Sequence, residues 1–365
     1  MHPIEIEKMN KADVVIVGAG LTGLALAYFL RDTPLSITII EARDRIGGRI
    51  LTAKSASGHQ IEMGATWLGK KHKDLNALLD QLNLDIYIQE LGSTAIYEPI
   101  STSPPQIVAL PPNTDPSYRR AGGSTLLIDE LHNRLSPNTT ISLSDVVSSV
   151  HIVTGGVKLK HTTGFTEAKV VISTLPPYLL AHTIDIEPPL PDRLSEVMDQ
   201  THTWMGESIK VGFTYKEPFW RSNNLSGTIM SNVGPIPEMY EHTDHDDQNH
   251  SLKGFLNSVY HTLSREERME LCLKQLEKYY GSVARSYLSY EELVWSNELY
   301  TYCGYHQHML PHQNNGHELY RSSSHQERFI IAGSETARAH PGYMDGAVSS
   351  AREVADKILN HNLLS

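Results

Sequence analysis

Three glycines and one acid near the N-terminus have the spacing of a dinucleotide site. The glycines are Gly18, Gly20 and Gly23, and the acid is Glu41. Gly18 permits a tight turn, Gly20 lets the backbone approach a pyrophosphate, and Gly23 allows close packing of a helix on a strand. A carboxylate about 20 residues further on is typical of a ribose hydroxyl contact. The pattern predicts dinucleotide binding.

The elements around these residues fit a strand–helix–strand unit. Residues 13–17 are a β-branched apolar run, typical of a strand buried on both faces. A helical pattern that includes Thr22 follows through Leu30, and residues 36–40 predict a second strand. The N-terminus of the helix would offer free N–H groups and partial positive charge to phosphates.

A second glycine turn indicates which dinucleotide is bound. Gly47 and Gly48 precede Arg49, shortly after the first unit ends. A nicotinamide site needs no second turn, whereas a chain around an extended FAD passes the pyrophosphate again, with an arginine to meet its charge. Alone, the two glycines would fit an ordinary surface turn. In this order the pattern favours FAD, and further candidate contacts are Arg43, Gly64, Ala65, Thr66 and Trp67.

Composition narrows the class of protein. The chain has 365 residues, 40% hydrophobic content and a formal charge of −11, which argues against nucleic acid and anionic membranes as partners. The two cysteines, Cys272 and Cys303, suit a reducing compartment. We find no signal-peptide pattern and no apolar tail, and expect a cytoplasmic protein. Histidines cluster in residues 241–250 and 306–317, but their spacing fits no closed zinc site, so we predict no metal.

The segment EARDRIGGR, residues 41–49, resembles the flavin-containing amine oxidases, which include the monoamine and polyamine oxidases. Three later segments are similar to blocks of the same family: residues 171–177 (VISTLPP), residues 206–220, and residues 331–348 with GSETA and GYMDGAV. The four blocks follow the family's order and span nearly the whole chain.

The resemblance implies an α/β protein with two domains. One is an FAD-binding Rossmann-type domain like that of glutathione reductase, and the other is an α+β substrate domain with a mixed sheet. The order of blocks assigns residues 1–79, 119–190 and 301–365 to the FAD domain and residues 80–118 and 191–300 to the substrate domain. Strands are predicted over residues 141–153, 156–173 and 208–215, and a helix with a Ser264–Glu267 capping box up to residue 280.

The resemblance also implies three catalytic residues. Lys210 matches the lysine that the family presents to flavin N5 through a water, where a cation favours electron transfer to oxygen. A strand would turn Lys210 away from Ile209 and Val211, although a solvent-facing lysine would fit the same alternation. Tyr305 and Tyr343 match the two tyrosines that flank the amine, since aromatic faces favour such a group.

Other family positions concern the flavin itself. Met344 opens the last predicted helix, whose N-terminus can stabilise charge on the reduced ring. Gly333 and Glu335 resemble the flavin-side motif, and Val147 the strand residue against the adenine. Monoamine oxidases attach FAD through a cysteine just before the first tyrosine, but here Gly304 has that place. In an extended segment a one-residue shift would turn Cys303 away, so non-covalent FAD is predicted.

One departure from the family concerns the connection between residues 90 and 122. Monoamine oxidases place a long helical section there over the substrate, whereas here about thirty residues remain, of which residues 101–116 read as an exposed linker. We expect a more open cleft, or one closed by another chain, that binds small aryl-alkyl amines weakly and turns over bulky or carrier-bound amines better.

The function predicted is FAD-dependent oxidation of an amine to an imine, which water hydrolyses, with oxygen reduced to hydrogen peroxide. A flavin dehydrogenase or desaturase with another acceptor stays open, as does a non-catalytic flavin-binding partner protein. Which amine is oxidised, and whether identical chains associate, is left open by the sequence.

Overall fold

In a computed structural model, residues 9–55, 58–222, 224–322 and 325–360 are described. The strands in these residues are β1 (Met9–Val17), β2 (Ile37–Ile40), β3 (Thr52–Lys54), β4 (Gln60–Glu62), β5 (Ile86–Ile88), β6 (Thr94–Glu98), β7 (Gln106–Ala109), β8 (Tyr118–Arg120), β9 (Thr139–Ser142), β10 (Val147–Val153), β11 (Gly156–His161), β12 (Gly164–Ser173), β13 (Asp185–Glu187), β14 (Ile209–Tyr215), β15 (Ile229–Ser231), β16 (Glu238–Glu241), β17 (His250–Leu256), β18 (Ser289–Val294) and β19 (Phe329–Ile331). The helices are α1 (Leu21–Phe29), α2 (Lys73–Leu82), α3 (Thr125–Asn133), α4 (Pro177–Thr183), α5 (Asp192–Asp199), α6 (Arg265–Tyr280) and α7 (Met344–Asn360).

The first sheet has eight strands in the order β13–β10–β11–β12–β1–β2–β9, with β19 beside the end of β12. β19, β12, β1, β2 and β9 pair in parallel. One face packs on α1, α2, α3 and α7 through a core that includes Leu24, Ile128 and Val348. Because both faces are covered, the β1 side chains Val14 to Ile16 are all fully buried, as the apolar run predicts.

The second sheet has seven strands in the order β18–β14–β17–β16–β15–β6–β7. Its pairs are antiparallel except for β15 with β6, so the sheet is mixed, as expected. α6 packs on it through Leu273 and Leu276. This helix begins with the predicted capping box between Ser264 and Glu267.

The strands of the first sheet come from residues 9–40, 139–187 and 329–331, and those of the second from residues 94–109 and 209–294. The division into an FAD domain and a substrate domain stays a proposal. α5, which was grouped with the substrate domain, packs by Leu194 and Met198 in the same core as Val15 of the first sheet.

Three local expectations were wrong. Residues 141–153 form two strands, because buried Asp145 leaves the ladder and accepts hydrogen bonds from Thr163 and Ser142. Residues 156–173 form the β11–β12 hairpin rather than one strand, and Gly164 has a φ of +139° at its turn. The segment 101–116 is more than a linker: it contains β7, which pairs with β6 at the edge of the second sheet.

Among the described helices, none is both long enough and apolar enough to cross a bilayer.

Candidate active site

A cavity of about 760 Å³ lies between the carboxyl end of the parallel strands and one face of the second sheet. This cavity is called the cleft below. Its volume falls within the range of about 300–1,000 Å³ that is usual for ligand sites.

Two glycine turns meet at one side of the cleft. Gly18 has a φ of +105°, and Gly48 a φ of +55°, conformations that favour glycine. A Cβ on Gly48 would lie 3.1 Å from the Cα of Gly20, so the two turns touch through backbone. A Cβ on Gly23 would lie 2.1 Å from the carbonyl oxygen of Gly18, so α1 can begin this close to β1 only with glycine there. These contacts agree with the roles predicted for Gly18 and Gly23, and the approach of a pyrophosphate to Gly20 stays a prediction.

Glu41 lies at the carboxyl end of β2 and is buried. Its carboxylate accepts hydrogen bonds from the backbone N–H of Ala19 at 2.7 Å and of Arg43 at 2.9 Å. Arg43 in turn donates to Glu298 and Thr301, which ties the cofactor side of the cleft to the segment after β18. The acid is therefore fixed at the edge of the glycine turn, where a ribose hydroxyl could reach it.

Arg49 and Glu335 form a two-bond ion pair. The distances are 2.5 Å between Nη1 and Oε1 and 2.8 Å between Nη2 and Oε2. Burial opposes both charges, but the pair overcomes it: Glu335 raises the pKa of Arg49, and Arg49 lowers the pKa of Glu335. Arg49 lines the cleft while Glu335 stays behind it, so the pair holds the arginine in place.

Lys210 lies on β14 and points into the cleft rather than to solvent, with 5% of its surface exposed. Its Nζ donates to the carbonyl oxygen of Gly64. Burial lowers the pKa of Lys210 to about 8, although Glu62 and Glu238 act in the opposite direction. The lysine therefore changes charge at about pH 8.

Glu238, Phe255 and Lys210 form a row across three neighbouring strands. Glu238 on β16 pairs with Phe255 on β17, which pairs with Lys210 on β14. Residues paired in this way share a face of the sheet, and all three line the cleft. The Glu238 carboxylate accepts a hydrogen bond from the Tyr240 hydroxyl at 3.1 Å and forms no ion pair with any described basic residue.

Tyr343 lines the cleft with Trp204 rather than with Tyr305. The Tyr343 and Trp204 ring centroids are 5.9 Å apart, and His312 stacks on Trp204 at 3.8 Å. The Tyr305 hydroxyl accepts the backbone N–H of Thr203 at 2.9 Å, and its ring lies edge-on to those of Tyr178 and Tyr302, outside the lining. The expected pair of Tyr305 and Tyr343 is therefore not brought together.

The reason is the backbone before Tyr305. Gly304 has a φ of +77°, and residues 302–304 form no strand, so the alternation assumed for an extended segment does not hold there. For the same reason Cys303, which was expected to turn away, is exposed and lines the cleft. Non-covalent attachment of FAD stays a prediction.

Most of the other predicted residues line the cleft: Gly18, Gly20, Thr22, Glu41, Arg43, Gly48, Arg49, Gly64, Ala65, Thr66, Trp67, Val147 and Met344. Gly23, Gly333 and Glu335 lie behind the lining, where the first two shape backbone and the third holds Arg49. The residues fit FAD, because two touching glycine turns leave space that side chains would fill. Arg49, Glu41 and the start of α7 at Met344 face the same cavity.

Comparison with known proteins agrees with this geometry. The sequence profile described as "Flavin containing amine oxidoreductase" matches residues 106–359, more than half of the chain. The chain belongs to this family. A profile for NAD(P)-binding Rossmann-like domains matches residues 16–82. FAD is therefore the cofactor, and the protein is an FAD-dependent amine oxidoreductase.

Several relatives match along nearly their whole length. The probable flavin-containing monoamine oxidase A of Dictyostelium discoideum is 25% identical over 463 aligned positions, which cover 96% of this chain and 99% of that protein. Putrescine oxidase of Kocuria rosea is 26% identical, and the match covers 98% of this chain and 97% of that protein. A solved structure of putrescine oxidase with putrescine bound has a TM-score of 0.82 at 23% identity, covering 96% and 100%, which shows a shared fold.

This amine oxidoreductase is shorter than the Dictyostelium relative. The alignment of the two runs over 463 positions, whereas this chain has only 365 residues. In the short connection over residues 90–122, the structure has the β6–β7 hairpin and β8.

Sequence reasoning missed Trp204, Phe255 and Glu238 in this amine oxidoreductase. Trp204 had a weak signal, because it lies two residues before the matched block of residues 206–220 that contains Lys210. Glu238 and Phe255 had none: only the pairing of β16, β17 and β14 brings them beside Lys210.

Proposed function

We propose that this enzyme oxidises short aliphatic diamines and uses oxygen as the electron acceptor. Diamine, oxygen and water would give an aminoaldehyde, ammonia and hydrogen peroxide. The observation that carries the proposal is the row of Lys210, Phe255 and Glu238 along one face of the cleft.

The row suggests how a diamine would lie. Neighbouring strands are about 4.8 Å apart, so Glu238 and Lys210, two strands apart, are separated by roughly 10 Å at their backbones. Phe255 provides an apolar surface between them. A carboxylate that forms no ion pair with any described residue, at one end of an apolar strip, is suited to an ammonium group on a short carbon chain. The other amino group would then reach the Lys210 end.

Trp204 and Tyr343 would orient the reacting amine. Both rings line the cleft, and aromatic faces attract an amine or ammonium group. The reacting nitrogen must lose its proton first, so capture of substrate should improve as pH rises towards the pKa of the amine.

FAD, when bound, supplies the electron chemistry by accepting the α-hydrogen and electron pair of the amine and passing two electrons to oxygen. The protein contributes orientation and charge. Below pH 8 Lys210 holds a proton, and its positive charge in a buried site would stabilise negative charge that develops when oxygen is reduced.

Relatives give this proposal further support. A relative by sequence and a solved structure are both named putrescine oxidase, and putrescine is a diamine. The charge of Glu238 could also hold a diamine that the protein does not fully enclose. This suits a cleft in which the connection over residues 90–122 is short. A cytoplasmic location without membrane contact remains our expectation from the acidic composition and the two cysteines, and association of identical chains is left open.

The test is a panel of matched amines. Oxygen consumption and peroxide should be measured with diamines, with monoamines of equal chain length, with benzylamine and with bulky or carrier-bound amines. We expect the diamines to have the highest kcat/KM. Flavin bleaching by diamines without oxygen consumption would indicate a dehydrogenase, and no bleaching by any amine would refute the proposal. A preference for bulky or carrier-bound amines would favour the open-cleft hypothesis without the Glu238 anchor.

A further inference from the structure

A second lysine lies directly behind the wall of the cleft. Lys253 is on β17 and is fully buried, with 0% of its surface exposed. Its Nζ donates to Thr66 Oγ1 at 2.6 Å and lies 4.6 Å from the ring centroid of Trp67. Thr66 and Trp67 both line the cleft. One layer of side chains therefore separates Lys253 from the cavity.

No described acid lies within ion-pair distance of the Lys253 Nζ. A buried ammonium group without a carboxylate partner is costly, so burial favours the neutral form of such a lysine. Burial, together with the positive charge of Lys210, lowers the pKa of Lys253 well below its usual value. The site therefore favours the neutral amine form of Lys253, which is able to accept a proton.

Ionisable groups face Lys253 from several elements. They are Glu62 on β4, Arg119 on β8, Lys210 on β14, Glu238 on β16 and His242 just after β16. Burial raises the pKa of Glu62, whose Oε1 accepts the N–H of Ser124 at 2.6 Å. His242 Nε2 accepts the N–H of Glu62 at 3.3 Å, and burial keeps this ring neutral by lowering its pKa.

We propose that Lys253 takes up a proton from solvent when electrons enter the bound cofactor, and so compensates negative charge from behind the cleft. Two electrons and one proton would enter the cofactor, and one further proton would form the third N–H bond of the Lys253 ammonium group. On reoxidation this second proton leaves. The inference requires FAD in the cleft but no step of amine oxidation.

The charge balance explains why Lys253 takes this proton. New negative charge in a site of low dielectric favours the protonated form of a nearby base. Lys210 is already protonated below pH 8 and has no further proton to accept. Lys253 acts on the cleft through Thr66 and Trp67, so it is a positioning residue for charge rather than a catalytic residue.

The test is the midpoint potential of the FAD-loaded enzyme, titrated with a chemical reductant at several pH values below 8. Each proton taken up with two electrons lowers the potential by about 30 mV per pH unit. We expect about 60 mV per pH unit for the wild type and about 30 for Lys253→Met. Lys253→Arg, which is permanently charged, should have the same shallow slope and a higher potential.

Two further variants serve as controls. Ser251→Ala changes a fully buried position on the same strand and should keep the wild-type slope. His242→Asn removes a second buried base beside Lys253 and should also keep the wild-type slope. An unchanged slope in both Lys253 variants, or loss of the slope in His242→Asn instead, would overturn the proposal. If one Lys253 variant fails to bind FAD, the other decides. Since the reductant is chemical, failure of the diamine proposal would not affect this result.

Discussion

The two sides of the cleft are built in different ways. The cofactor wall, formed by residues 18–23, 41–49 and 64–67, consists of short motifs in which neighbours in sequence are neighbours in space. The substrate wall, formed by Lys210, Phe255 and Glu238, joins residues from three strands through their register. In the cofactor wall, backbone conformation limits which residues fit. In the substrate wall, the chemistry of the side chains determines what can bind. Changes in the cofactor wall should therefore abolish function, while those in the substrate wall should tune it.

The largest effect is expected for Gly23→Ala in the cofactor wall. The new methyl group would lie 2.1 Å from the Gly18 carbonyl oxygen, so the turn must move, at a cost of about 3 kcal/mol or more. We expect a lower melting temperature and no retained FAD, measured by thermal unfolding and the flavin absorbance of purified protein.

Gly20→Ala is the matched control. Its φ is −74°, and the nearest atom to its Cβ is the Cα of Gly48 at 3.9 Å, so the FAD-free protein should melt as the wild type does. Its methyl group occupies space between the two turns, so FAD binding should weaken. If both variants keep FAD, the glycine turns are not the cofactor cradle.

Glu238→Gln should change selectivity in the substrate wall. Loss of a charged hydrogen bond costs about 1.5–3 kcal/mol, so kcat/KM for diamines should fall roughly tenfold to a hundredfold. Monoamines of equal length should be unaffected, because they have no distal ammonium group. Glu241→Gln, on the same strand but outside the lining, should leave both rates as they are. Equal losses for diamines and monoamines would contradict a distal anchor.

Lys210→Met should separate the two half-reactions. FAD binding and anaerobic reduction by substrate should change little, whereas reoxidation by oxygen should slow at least tenfold, or about 1.4 kcal/mol. Stopped-flow spectroscopy measures both. A normal oxidative rate in the variant would reduce Lys210 to a buried strand residue.

The pH profile sharpens the same prediction. Because the pKa of Lys210 is lowered to about 8, the lysine is charged below that pH and neutral above it. Wild-type reoxidation should therefore fall as pH rises through about 8, and this fall should be absent in Lys210→Met. Substrate capture should have the opposite slope, since it needs the neutral amine.

The smallest effect is expected for Cys303→Ala, which tests whether FAD is attached covalently. Acid or heat denaturation should release FAD into solution, and Cys303→Ala should keep wild-type FAD content. Cys303 lines the cleft, so it is the residue to examine if colour stays with the precipitate. Yellow protein after denaturation of the wild type but not of Cys303→Ala would mean a covalent bond.

The sequence predicted more residues of the cofactor wall than of the substrate wall. Glycine spacing, Glu41 and Arg49 predicted residues that the structure brings together at one side of the cleft, because positive φ values and close backbone contacts leave few alternatives to glycine. Lys210 was found from a block resemblance, and the alternation of β14 gave its direction. Tyr305 lies outside the lining because the backbone turns at Gly304, which has a φ of +77°, where an extended segment had been assumed.

The sequence by itself determined the dinucleotide unit, the second glycine turn, the capped helix α6 and the start of α7 at Met344, since each depends on interactions within a few residues. Only the tertiary structure decided that Glu238 and Phe255 share a face with Lys210, that Trp204 stands beside Tyr343, and that Lys253 is sealed behind Thr66. These contacts depend on strand register and burial. Both are set by the packing of distant segments, and a shift of one residue would turn each side chain to the opposite face.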